Sequence, residues 1–193
     1  RYHMQAQFGK EVLGVVRLNE ARKHQEMAKD IKEIRDGEID PDIRRKLKAE
    51  YNEEQKAYST LKNSRWSILS NSKNLADSRK SALNTILEEH NDLAVCYAMK
   101  EEICRLFELS DPKEARDRWT SWFEAAKESG IDALVHFAEL KQKRLEGLIS
   151  HATHPISTGK LEGLNNKIKV AKRVGYGYRN DDYFFILVRY ISM

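Results

Sequence analysis

Apolar residues in this chain recur three and four positions apart, segment after segment, and no stretch shows the strict alternation of a half-buried strand. Phe8, Val12, Val15 and Val16 open the pattern, and Leu83, Ile86, Leu93 and Tyr97 carry it through the middle. Trp119, Trp122, Phe123 and Ala126, then Leu134, Phe137, Ala138 and Leu145, extend it towards the last quarter. Only 3 Pro and 9 Gly punctuate 193 residues, so few positions can break a helix. These features predict a mainly α fold. Tyr183 to Ile191, rich in aromatic and β-branched residues, is the stretch least firmly helical on this reading.

The punctuation divides the chain. A first helix is expected from Tyr2 to about Lys29, its pattern continuing through Ala28, Ile31 and Ile34 to a break at Asp36-Gly37. Gly9 and Gly14 lie inside it, each costing about 1 kcal/mol in an exposed helix, so a close neighbour is expected there. Asp40-Pro41 reads as an N-cap followed by the first helical position, opening an arm striped by Ile43, Leu47, Tyr51, Tyr58 and Leu61. Both arms are thin in apolar residues and thick in charge, which predicts an antiparallel helical hairpin projecting over 20–62 with a narrow seam. The stretch from Ser70 to Asn74 reads as a polar linker. Asp77 or Ser78 is the expected cap of the next helix, whose stripe runs on through Leu93, Lys100, Ile103, Cys104 and Phe107 to Ser110. Asp111-Pro112 is a second cap pair and Gly130 a helix end; Ile131 to Ser150 repeats the pattern, and His151–Pro155 reads as a loop. Two closing helices are expected near 159–174 and 181–192.

Charge narrows the function classes. The chain is 33% charged with a net charge of +4. From Lys160 to Asn180 six basic residues stand against one acid, Glu162, so that window alone carries +5 and everything else nets to about −1. A concentrated basic stretch with Asn and Tyr interleaved is what binding of a phosphate backbone requires. No apolar run reaches the roughly 18 residues of a membrane span, and the opening Arg1-Tyr2-His3-Met4 resembles neither a signal peptide nor an initiator. The expectation is a piece of something longer, acting in the cytoplasm with no membrane partner. Cys96 and Cys104, eight apart without ligand-spaced His or Cys, read as core packing in a reducing compartment. Trp119 and Trp122 read as core anchors. His151 and His154 lack a third ligand, and no phosphate-binding glycine loop, serine elbow or zinc-protease motif occurs.

The stretch Ser157-Thr158-Gly159-Lys160-Leu161-Glu162-Gly163-Leu164-Asn165-Asn166-Lys167-Ile168-Lys169 carries the most chemistry. On a helix Leu161, Leu164, Ile168 and Ala171 share one apolar line, while Glu162, Asn166, Lys169 and Arg173 share the roughly opposite face. A lone carboxylate thus heads a stripe of amides and cations, with Gly163 leaving room for a bulky approach. Carboxylate and phosphate repel unless a divalent cation lies between them, the arrangement of metal-assisted phosphoryl transfer. A glutamate in a first helical turn is also favoured by the helix dipole alone. Pattern therefore leaves open a non-enzymatic helical DNA-binding or assembly module, and a helical module whose basic tail meets an acidic protein.

The string S-T-G-x-x-E-G-L-N-N-K-I-K-x-x-K-R-x-x-Y-G-Y-R-N-x-x-Y over Ser157–Tyr183 resembles the C-terminal signature of DDE transposases of bacterial insertion sequences, of the ISL3 type. The upstream rhythm of Leu75, Leu93, Tyr97, Lys100, Ala115, Trp119, Gly130, Leu134, Phe137 and Leu145 is similar to that family, as is the opening Arg1-Tyr2-His3, which there follows an aspartate. The resemblance implies an incomplete RNase H-like core, in which 1–24 is a core helix, 25–156 a helical insertion, and 157–193 the final catalytic helix, basic segment and last helix. It makes Glu162 the third acidic metal ligand of an Asp-Asp-Glu site for two Mg²⁺ (or Mn²⁺) ions, which would activate water and then a 3′-hydroxyl. Lys160, Asn165, Asn166, Lys169, Lys172, Arg173 and Arg179 would hold the DNA backbone, and Tyr176 would stack, or Tyr178 in its place. The implied partners are transposon-end DNA, target DNA and further copies of the protein in the active complex. Both catalytic aspartates would lie upstream, leaving these residues inactive alone, and His3 is expected to be structural. Val174-Gly175 departs from the family's usual cation and alanine.

Overall fold

The structure, a computed structural model, describes residues 2–70, 74–154, 159–175 and 181–192. Every regular element among the described residues is helical. The chain falls into two units, Arg1–Thr153 and His154–Met193.

The first unit opens on one uninterrupted helical run. Helix α1 (Tyr2–Phe8) passes through a π-helical stretch (Gly9–Leu13) into α2 (Gly14–Gly37). There the Gly14 amide donates to Gly9 O, five residues back, the wider register of a π turn. A Cβ on Gly9 would stand 2.9 Å from Leu69 Cδ2, so the glycine admits the close neighbour its helix penalty implied. The extra residue in the turn also shifts the inward face. Leu13 joins Phe8, Val12 and Val16 in the core, whereas Val15, expected inward, is 41% exposed.

Helix α3 (Pro41–Asn63) returns along α2, making the hairpin from longer arms than 20–62. Asp40 caps it as its sequence predicts, accepting from Asp42 N at 2.8 Å and Ile43 N at 3.3 Å. The seam is narrow: Ala28 and Leu61 are buried, while Ile31, Leu47, Tyr51 and Tyr58 are half-buried. Polar contacts supplement it. His24 Nδ1 meets Glu54 Oε2 at 2.6 Å, and Arg35 lies over the Tyr51 ring. At the hairpin base Arg17 donates to Leu61 O at 2.9 Å and Lys62 O at 2.8 Å, adding a charged donor to carbonyls of the last turn of α3.

The rest of the unit is α4 (Arg65–Leu69), α5 (Asp77–Glu89), α6 (Asn91–Leu106), α7 (Pro112–Glu128), α8 (Asp132–Gln142) and α9 (Leu145–Thr153). Three boundaries differ from the sequence reading. Ala76, not Asp77 or Ser78, occupies the N-cap of α5 and makes no side-chain cap bond. The stripe expected to run unbroken to Ser110 turns at His90, whose buried ring sits 3.5 Å from Glu20 and edge-on to His24. The chain after Gly130 breaks at Lys143-Arg144, and α9 then carries His151 in its last turn, against the Phe107 ring, where a loop was expected. Asp111 caps α7 as expected, and Gly130 ends it at φ +68°. Trp119 and Phe123 are fully buried, with Phe8 edge-on to both Trp122 and Phe137. Trp122 Nε1 donates to Met99 O at 3.1 Å, which satisfies its indole N–H. Cys96 is buried and Cys104 half-buried, the Cys104 sulfur accepting from Gln5 Nε2 at 3.2 Å.

A candidate DNA-facing helix

The second unit holds α10 (Gly159–Val174) and α11 (Asp181–Ser192), which pack on each other. Tyr183 to Ile191, the stretch least firmly helical by sequence, lies within α11. Its period-3.6 pattern, half-burying Phe184, Leu187 and Val188, outweighs the β preference of its residue types.

Helix α10 sorts its side chains as its periodicity requires. Leu164, Ile168 and Ala171 are half-buried along one line, while Asn165, Asn166, Lys169, Lys172 and Arg173 are all exposed. At 100° per residue, Asn166, Lys169 and Arg173 fall within a wedge of about 60°, with Asn165 and Lys172 about 70–90° from its centre on one side. Positions 160 and 162 belong to the first turn of the same helix, with 162 in register with that wedge. The Lys160 and Glu162 side chains lie outside the described ones, as do residues Tyr176, Tyr178 and Arg179. The helix persists through Val174, closed by Gly175 N donating to Ala171 O, so the departure at Val174-Gly175 costs the basic face nothing before Arg173. Lys172 and Arg173 also sit in the last turn, where cations oppose the negative end of the helix dipole.

Gly163 is exposed, and a Cβ there would meet nothing within 4 Å. The helical pair also leaves a large apolar surface uncovered: Tyr183 is 59%, Phe185 63%, Ile186 66% and Tyr190 77% exposed. Among the described residues no group of three or more His, Cys, Asp or Glu is placed to hold a metal ion. His3 is exposed, with the Tyr2 ring edge-on to it. No described helix is long and apolar enough to cross a membrane.

Residues 1–188 match the model of the ISL3 transposase family, described as a transposase. The chain is 32% identical over 188 residues to the transposase for insertion sequence element IS1001 of Bordetella parapertussis, a match covering 97% of this chain and 40% of that relative. It is 27% identical over 122 residues to the transposase for insertion sequence element IS1557 of Mycobacterium tuberculosis, covering 62% of this chain and 27% of the relative. This chain thus spans about two fifths or less of the curated relatives it matches. No solved structure matches it. The family match runs through both units and includes the E-G-L-N-N-K-I-K string of α10. The chain belongs to the ISL3-type transposases of insertion sequences.

Proposed function

We propose that this chain is the part of a DDE-type transposase that contributes the last acidic ligand, Glu162, to a divalent-metal site for DNA strand cleavage and strand transfer. The observation that carries the reading is the build of α10. One turn before a wedge of exposed Asn166, Lys169 and Arg173, its register holds the single acidic position of the helix. Its opposite line, Leu164, Ile168 and Ala171, turns towards its neighbour. A divalent site for phosphoryl transfer draws on several acidic oxygens. Glu162 is one donor of such a set, which the described residues do not complete among themselves. When bound, the metal would polarise the phosphodiester and activate the attacking oxygen. This chain's own share would be to hold one corner of that site and to fix the DNA backbone through Asn165, Asn166, Lys169, Lys172 and Arg173. The uncovered face of α11 would pack on the sheet of an RNase H-like core.

The test uses the whole protein. Glu162→Gln keeps the shape of the side chain and removes its charge. It should abolish strand transfer while leaving transposon-end binding within a few-fold of wild type. Transposition that survives this change would overturn the ligand role and leave Glu162 as a helix-start residue. The 193-residue chain alone, given Mn²⁺ and end DNA, should bind without cutting.

A further inference from the structure

A second basic surface lies in the first unit, far along the chain from α10. A groove of about 680 Å³ runs beside the π turn between the opening helical run and α4, with α6 at one end. Leu13 and Ile68 line its apolar part; Lys10, Arg17, Arg65 and Lys100 stand around it, and no Asp or Glu is among its lining residues. Lys10 and Arg65 are exposed. Arg17 and Lys100 are buried and spend their donors on main-chain carbonyls: Leu61 and Lys62 for Arg17, Ile68 and Ser70 for Lys100. Among the described residues Lys100 pairs with a carboxylate, Glu101 at 3.1 Å, and Lys10, Arg17 and Arg65 form no ion pair. Beside Arg65, its guanidinium 5.7 Å from the ring, Trp66 is 72% exposed.

We propose that this groove is a second DNA contact, taking the phosphates of an unpaired strand on Lys10 and Arg65, with Trp66 as the platform on which one of its bases stacks. The inference rests on the transposase reading, since that is what makes DNA the partner. A buried cation without counter-charge favours an anionic ligand, and the Arg17 guanidinium is held below its usual pKa by burial and then by Arg65. A bound phosphate would relieve that repulsion. An exposed indole beside a guanidinium suits an unpaired base, whose π face a duplex would hide.

The fold supplies its own reporter. Trp119 and Trp122 are 0% and 3% exposed, so quenching by DNA would report Trp66. The chain is titrated with an oligothymidylate of about 12 nucleotides, within the usual span of a single-strand groove. Saturable quenching is expected, with affinity by anisotropy of a labelled oligonucleotide falling about tenfold in Trp66→Ala. Lys10→Gln/Arg65→Gln should lower the slope of log affinity against log salt by about 1.4. Both changes are at exposed positions, and a cooperative thermal melt at or above the wild-type Tm shows that the fold is intact. Unaltered oligonucleotide affinity and salt slope in the folded variants would overturn the groove. So would loss of poly-glutamate binding in the double variant with oligothymidylate binding unchanged, which would mark a protein-docking site. Lys169→Gln/Lys172→Gln/Arg173→Gln separates the two surfaces. If it alone removes DNA binding, the groove fails while the α10 reading stands; if only the groove variants do, the α10 reading fails and the groove stands.

Discussion

Arg17→Met removes a buried cation whose two bonds join the start of α2 to the end of α3, and its cost can be worked from the contacts. Hydrogen bonds from a charged donor contribute about 1.5–3 kcal/mol each. Leu61 O keeps a second donor, Ser64 Oγ at 2.7 Å, so only Lys62 O loses its side-chain partner, and it lies beside an exposed residue that water reaches. Against the lost bonds stand the burial of the guanidinium and its repulsion from Arg65, both of which Met relieves. Met also preserves most of the apolar stem. The net destabilisation should be about 2 kcal/mol, lowering Tm by about 4–8 °C in a chain of this length. Urea unfolding followed by far-UV circular dichroism and by the fluorescence of buried Trp119 and Trp122 measures it. A loss confined to circular dichroism would mean that the hairpin opens before the core. A change below about 0.5 kcal/mol by both probes would refute the idea that Arg17 latches the hairpin. The double variant with Arg65→Gln adds a check on sign. Neutralising Arg65 should stabilise the wild-type background and have no such effect once Arg17 is gone.

Burial pushes the Cys96 thiol up to about 12 from 9.0 and the Tyr97 hydroxyl to about 12 from 10.0. The native state therefore keeps two protons that the unfolded chain releases, and stability should fall from about pH 9 towards pH 12; Cys96→Ala should flatten the lower part of that fall in pH-dependent urea unfolding. A thiol reagent at pH 8 should leave Cys96 unmodified in the native protein and reach it in denaturant, and rapid native labelling of both cysteines would contradict its burial. Gly130→Ala places a Cβ on a backbone at φ +68° and should cost about 1–2 kcal/mol by thermal melt, although nothing within 4 Å would obstruct it.

What the sequence made legible was whatever local chemistry determines. Asp40 and Asp111 cap helices because a carboxylate followed by proline satisfies the first free amides wherever it occurs. Trp119, Phe123, Phe137 and Leu134 are buried because their spacing puts them on one face each. The misses depend on contacts between distant residues. His90 breaks what reads as one helix because Glu20 and His24, on another arm, gather around its ring. The π turn at Gly9 answers to Leu69 across the groove, and no periodicity within 2–37 contains that information. On α10 the sorting of exposed Asn166, Lys169 and Arg173 from the half-buried line was legible, being a property of one helix. The groove was not. Its cations stand at positions 10, 17, 65 and 100, too scattered to register as a basic run.

The charge of that groove is a consequence of how the fold closes two helix ends. Helices α3 and α4 both terminate at its margin, where carbonyls of each last turn take further donors. Arg17 meets those of α3 and Lys100 those of α4, from elements distant in sequence. A neutral donor such as Gln would also bond a carbonyl. A cation additionally opposes the negative end of the helix dipole, but that end carries only about half a charge and cannot neutralise a whole one. Each closure therefore leaves positive potential behind, reduced further at Lys100 by Glu101, whereas Arg17 forms no ion pair among the described residues. Adding exposed Lys10 and Arg65 to that margin would raise the like-charge repulsion of a surface meant only to face water. It is favourable in a surface that an anionic strand will cover. Stability and binding then make opposite demands on the same side chain. Arg65→Gln should raise Tm and weaken DNA, and a protein whose Arg65 served only the fold would show neither effect.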